Sequence, residues 1–117
     1  INYEVDYWGL SNKFALEKII NEDDRKLINV SRISDTSLSH NINILTEQQK
    51  QKVNYVVDID KSDYIINNNI FFRGDFRKVR KILSNFDVYY ELFVDGTLVT
   101  TIYKRRYPIW KFFYINL

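Results

Sequence analysis

The chain has 117 residues, 17 Lys and Arg against 15 Asp and Glu, no cysteine, and 16% aromatic residues. That length and composition suit one folded domain with its own core and exclude a chain disordered throughout. The missing cysteines remove thiol chemistry, disulfides and thiolate metal sites, and a net charge of +2 does not argue for nucleic acid without a concentrated basic face.

No run approaches the roughly 18 uninterrupted apolar residues that cross a bilayer. The first structured element starts within a few residues of Ile1, which reads as a piece of something larger.

In chain order, Tyr3 to Trp8 is aromatic and β-branched and predicts a strand that Gly9 breaks. Ser11 then reads as an N-cap for a helix over Asn12 to Asn21, where Ala15, Leu16, Ile19 and Ile20 share one side of the wheel. Asn21-Glu22-Asp23-Asp24 is a polar stop. Lys26 to Ile33 predicts a second strand. Thr36 to Lys52 spaces Leu38, Ile42, Leu45 and Gln49 at steps of four and three, which predicts a second helix.

Val53 to Ile59 and Asp63 to Asn67 are short apolar runs too close together for a crossover helix between parallel strands. Arg73 to Ser84 is basic and reads as a short helix or an irregular loop. Asp95-Gly96, between Val88 to Val94 and Thr97 to Lys104, is the signature of a type I′ hairpin, since both turn residues need positive φ. Strand alternation then puts Val88, Tyr90, Leu92 and Val94 on one face with Val99, Thr101 and Tyr103, toward the core.

The predicted fold is α/β: a small mixed β-sheet with helices packed on it, a strand-helix-strand-helix start and a C-terminal β-hairpin. Residues 1–106 form a single domain, and 107–117 an aromatic tail that packs on the domain, on a neighbouring protein or at a membrane interface.

Three blocks, "YEVDYWGLSNKFALEKI", "SDYIINN" and "VYYELFVDGTLVTTIYKRR", resemble in the same order the soluble C-terminal domain of bacterial multi-spanning membrane glycosyltransferases, those related to protein mannosyltransferases and aminoarabinose transferases. The resemblance covers roughly Asn2 to Arg106 and is most specific at Asp6-Tyr7-Trp8-Gly9 with Ser11 and at the Val94-Asp95-Gly96 hairpin. It implies a parent enzyme that moves a sugar from a polyprenyl-phosphate donor on the extracytoplasmic (periplasmic) side of the cytoplasmic membrane. It also implies catalytic carboxylates in the membrane-spanning part, so no catalytic residue, cofactor or metal site is carried onto this chain. The implied partners are that spanning part, membrane headgroups and lipid-linked sugar.

Two readings compete at Asp6, Tyr7 and Trp8. They form a sugar-stacking platform with a carboxylate acceptor, or they are packing at a strand end; strand alternation would separate Asp6 and Trp8 from Tyr7, which favours packing. Gly9 lacks the companion glycines of a dinucleotide loop, His40 has no motif partner, and Asp58, Asp60 and Asp63 lack the glycine and distal glutamate of a calcium hand. The basic residues Arg73, Arg77, Lys78, Arg80 and Lys81, with Lys104, Arg105 and Arg106 as a second group, read either as a solvated face or as a contact for anionic lipid.

Overall fold

The structure is a computed structural model that describes residues 3–33, 45–68 and 76–107, with backbone only for residues 3–10, 76, 78 and 79. Helix α1 (Tyr3–Glu22) opens it, followed by β1 (Ile28–Ile33), a single helical turn α2 (Glu47–Lys50) and β2 (Val53–Tyr55). A 3₁₀ turn (Ile59–Lys61), β3 (Tyr64–Asn68), α3 (Phe76–Leu83), β4 (Phe86–Val94) and β5 (Thr97–Arg105) complete it. The five strands form one mixed sheet in the order β2-β1-β3-β5-β4, as the α/β reading expected.

Tyr3 to Trp8 is the first part of α1, not a strand, and the helix runs through Gly9. A glycine inside a helix costs only about 1 kcal/mol relative to alanine, which a long helix with a buried stripe can carry. That stripe is Ala15, Leu16, Ile19 and Ile20, all buried, and the same four-residue step places Ser11 and Asn12 one turn earlier on it. Ser11 is therefore a buried interior residue whose hydroxyl bonds to Thr100 instead of capping a helix start.

Of the helix expected over Thr36 to Lys52, residues 36–44 lie outside the described residues and the remainder is the turn α2. Its Thr46 closes a capping box with Gln49: the Gln49 amide donates to the Thr46 hydroxyl at 3.1 Å and the Thr46 amide donates to Gln49 Oε1 at 2.9 Å.

Both β2 and β3 run parallel to β1, on opposite sides of it. The connection is short because the chain does not have to travel back along the sheet. Val30 pairs with Tyr55, where β2 ends, and with Tyr64, where β3 begins, so the intervening residues only step sideways across β1. No crossover helix is needed.

Asp95 and Gly96 take φ values of 50° and 79°, the positive pair that a type I′ turn demands. The single core face expected for this hairpin is broken, however. An irregularity between Val88 and Tyr90 leaves Val88 opposite Tyr103 while Tyr90 comes opposite Ile102. The extra residue reverses the alternation, so Tyr89 and Tyr90 both pack on the α1 side and Val88 is left 55% exposed. A second shift follows between Leu92 and Phe93. Such irregularities on an edge strand also blunt its capacity to pair with another chain.

The sheet buries two unequal clusters. On one face Ala15, Leu16, Ile19 and Ile20 of α1 meet Ile28, Val30, Val53, Tyr64, Ile66 and Ile102. On the other, Ile33, Ile65 and Phe86 are covered by Ile59 of the 3₁₀ turn, Ile82 and Leu83 of α3, and Tyr103. Burial of each large aliphatic side chain contributes about 1.5 to 3 kcal/mol, so the α1 face carries most of the stability.

Candidate functional site

The densest polar cluster lies where α1 ends. The residue after α1's last turn, Asp23, has a side chain only 7% exposed. Arg25 grips it from two residues on: Nε donates to both carboxylate oxygens at 3.0 and 3.1 Å, Nη2 to Oδ2 at 2.6 Å, and the backbone amide to Oδ1 at 2.9 Å. The Tyr64 hydroxyl donates to Asp23 Oδ2 at 2.9 Å. Arg25 Nη1 then reaches Asp63 Oδ1 at 3.1 Å and donates to the Tyr107 hydroxyl at 3.0 Å, and that hydroxyl donates to Asp63. Asp63 Oδ2 accepts the Asn29 amide at 2.9 Å. One arginine thus bridges two carboxylates from distant parts of the chain.

The electrostatics of this junction point away from proton transfer. Burial alone would raise the Asp23 carboxyl, but the hydrogen bonds from Arg25 and Tyr64 outweigh it and hold the group well below the usual carboxylate range. Burial, then the bond to Asp23, pushes the Tyr64 hydroxyl far up. Burial and the bond to Asp63 likewise raise Tyr107. A general acid or base works best with a pKa near the operating pH. These groups move outward in both directions, the pattern of an ion-pair staple.

Beside it, the Tyr89 hydroxyl donates to Glu22 Oε1 at 2.6 Å, and Lys18 Nζ lies 2.6 Å from Glu22 Oε2. Burial and Glu22 raise Tyr89 to about 12, while the bonds from Lys18 and then Tyr89 lower Glu22. Lys18 sits 4.4 Å from the centre of the Tyr90 ring, and Lys104 sits 5.6 Å from Tyr89 and 5.8 Å from Tyr64. Deeper along α1, Asn68 Nδ2 donates to Asn12 Oδ1 at 2.9 Å and to Thr100 Oγ1 at 3.0 Å, and Thr100 also bonds Ser11. This buried network fixes α1 against β3 and β5.

The opposite face carries a groove of about 510 Å³ lined by Asp58, Asp60, Lys81, Ile82 and Asn85, within the size range of small-ligand sites. Both walls are tied to the end of β5. Arg105 Nε donates to the Ser62 carbonyl at 2.7 Å and its Nη2 to the Asp60 carbonyl, holding the 3₁₀ turn. Arg106 donates to the Ser84 carbonyl and lies 3.3 Å from Asp87, holding the turn after α3.

The sequence-predicted site residues therefore fall in separate places. Asp6, Tyr7 and Trp8 are consecutive positions of α1, so the strand alternation used to separate them does not apply; their side chains lie outside the described residues. Arg77, Arg80 and Lys81 are exposed on α3; Arg73 and the Lys78 side chain lie outside the described residues, as do His40 and residues 108–117. The second basic group is not one patch. Lys104 faces the tyrosines of the α1 side, whereas Arg105 and Arg106 are engaged by backbone carbonyls near α3. Tyr107, assigned to the tail, is bonded into the domain through Asp63 and Arg25.

Sequence reading missed the Asp23, Arg25, Asp63 and Tyr107 junction. Asp23 read as a polar stop and Asp63 as the start of a short apolar run, and no spacing signal links Asp63 or Tyr107 to residues so far away in the chain. Among the described residues, no group of three His, Cys, Asp or Glu side chains is placed to hold a metal ion, and no helix is long and apolar enough to cross a membrane. In comparisons with known proteins, no family model, no curated protein and no solved structure matches the chain.

Proposed function

We propose that this chain is a non-catalytic accessory domain of a membrane-embedded glycosyltransferase that uses a polyprenyl-phosphate-linked sugar donor. It would sit on the extracytoplasmic side, against the spanning part of the same protein, and shape access of the acceptor. One observation supports the reading: the three blocks that carry the sequence resemblance are the elements that pack on one another. The first block lies within a single helix, α1, and it bonds to the second through Asn12 and Asn68. It bonds to the third through Ser11 and Thr100. Likeness confined to mutually dependent elements is what a shared domain would leave.

The test begins with the coding sequence upstream of Ile1, where several apolar spans of about 20 residues are expected. Removing the 117 residues from that full protein should then weaken use of the acceptor while leaving the dependence on donor concentration unchanged. A coding sequence with no such spans would end the proposal.

The groove at Asp58, Asp60 and Lys81 supports a second reading, a free-standing module that binds carbohydrate or a protein segment. Saturable glycan binding that is lost in Asp60→Ala, in a protein whose gene lacks upstream spans, would favour it over the first.

A further inference from the structure

The groove between the 3₁₀ turn and α3 has walls of opposite charge. Asp58 and Asp60 line it from the turn, and Lys81, Ile82 and Asn85 from the end of α3 and the residues after it. Both walls are braced by hydrogen bonds within the fold. Asp58 Oδ1 accepts the Asp60 amide at 3.0 Å, and the Ser62 hydroxyl donates to the Ile59 carbonyl at 2.7 Å while accepting from Ser31 of β1 at 3.0 Å. On the other side the Ser84 hydroxyl donates to the Lys81 carbonyl at 2.6 Å, and the Asn85 amide to the Ile82 carbonyl at 3.1 Å. Arg105 and Arg106 hold the Asp60 and Ser84 carbonyls. The spacing of the walls is therefore set before any ligand arrives. Among the described residues, no hydrogen bond or ion pair engages the side chains of Asp60, Lys81 and Asn85, so all three are available to a ligand.

We infer that this groove binds a free basic α-amino acid, arginine or lysine. Charge selects the ligand. The lining presents two carboxylates and one ammonium, and a basic α-amino acid presents the inverse set, two cations and one carboxylate. Its cations meet Asp58 and Asp60 in charge-assisted hydrogen bonds, its carboxylate meets Lys81 and the Asn85 amide, and its aliphatic stem crosses Ile82. The volume of about 510 Å³ suits a molecule of that size. Other small ligands fit the lining less well. A simple anion would face both carboxylates, while a polyamine or bare metal ion would sit against Lys81, with Arg105 and Arg106 already bonded to the walls. A neutral sugar finds acceptors but no aromatic ring among the lining residues on which to stack. Recognition of a basic amino acid deepens the second reading above and rests on it only for the groove being a ligand site.

The test titrates the 117-residue chain with L-arginine and L-lysine, with agmatine, which lacks the carboxylate, and with L-norleucine, which lacks the side-chain cation. Binding is read from heat and from backbone amide shifts. Arginine or lysine is expected to saturate, with the shifts centred on residues 58–62 and 81–85. Agmatine and norleucine should each bind at least about tenfold more weakly, since each forfeits a charge-assisted contact. Asp60→Asn should weaken arginine by a similar factor. Lys81→Gln should weaken arginine yet tighten agmatine, because it removes an attraction in one case and a repulsion in the other, a pair of changes that a folding defect cannot produce. No saturation by either basic amino acid, equal binding of arginine and agmatine, or equal losses of both in Lys81→Gln would overturn the inference. Neutral glycans that saturate at the same residues where arginine and lysine do not would overturn it and leave the second reading standing. Silence at the groove from amino acids and glycans alike would end both.

Discussion

The two faces of the sheet solve different problems. The α1 face buries a continuous aliphatic cluster and sets beside it polar side chains that bond one another, as Asn12, Asn68, Thr100 and Ser11 do. The hydrophobic cluster on the α3 face has three buried members, a half-covered fringe and a charged groove beside it. One face commits the sequence to a single structure. The other leaves charge at the surface, where substitutions can change binding while the fold persists.

Breaking that contrast should be easiest in the core. Leu16→Ala should cost about 4 kcal/mol by creating a cavity in the fully buried cluster, whereas Ile82→Ala on the partly covered face should cost about 1 kcal/mol. Urea denaturation of both variants measures the difference, and similar losses would mean the faces contribute equally.

Next in size is Asp23→Asn, expected to cost about 2 kcal/mol because Arg25 can regain water while the Tyr64 hydroxyl is left poorly matched. Asp23 is depressed in the folded state, so its contribution is complete above the ordinary value of 3.8 and fades as pH falls below it. Melting temperature should drop in that acid range for the natural chain and fall less steeply for Asp23→Asn. The tyrosines act at the other end of the scale. Tyr89, raised from 10.0 to about 12, favours the folded state below pH 10.0 and withdraws that support as pH climbs through 12. Tyr89→Phe should flatten the alkaline limb of the same profile.

Thr100→Val removes the acceptor of Asn68 and the partner of Ser11 while keeping the side-chain volume, and should cost about 1.5 kcal/mol. Smallest of all, Gly96→Ala should cost about 1 kcal/mol, entirely from the positive φ of 79°, since an added Cβ meets no atom within 4 Å. A crystal structure or amide chemical shifts of that variant showing a different turn would revise this figure.

What could be read from the sequence follows the range of the interaction. The hairpin was legible because Asp95-Gly96 satisfies a local dihedral demand, and the second half of α1 because its apolar step is unmistakable over Ala15, Leu16, Ile19 and Ile20. The mixed sheet followed from such pieces. Tyr3 to Trp8 misled because β propensity is weak when an adjoining helix can extend through it. The bulge at Tyr89 reversed a face with no glycine to announce it. At the candidate site, exposure of Arg77, Arg80 and Lys81 agreed with their pattern, but the division of Lys104 from Arg105 and Arg106 needed the register of β5. Apart from the local grip of Arg25 on Asp23, the junction is tertiary and left no trace in spacing.

That junction also bears on how the chain comes apart. Asp63 joins the residue before β3 to the start of β1, to Arg25 beyond α1 and to Tyr107 beyond β5, so the full set of its bonds closes only once α1, β1, β3 and the end of β5 have come together. A tie formed that late is absent from the folding transition state and acts as a latch on the way out. Removing it with Arg25→Met should leave the refolding limb of a chevron plot in place and lift the unfolding limb, shortening the lifetime of the native chain more than its rate of formation.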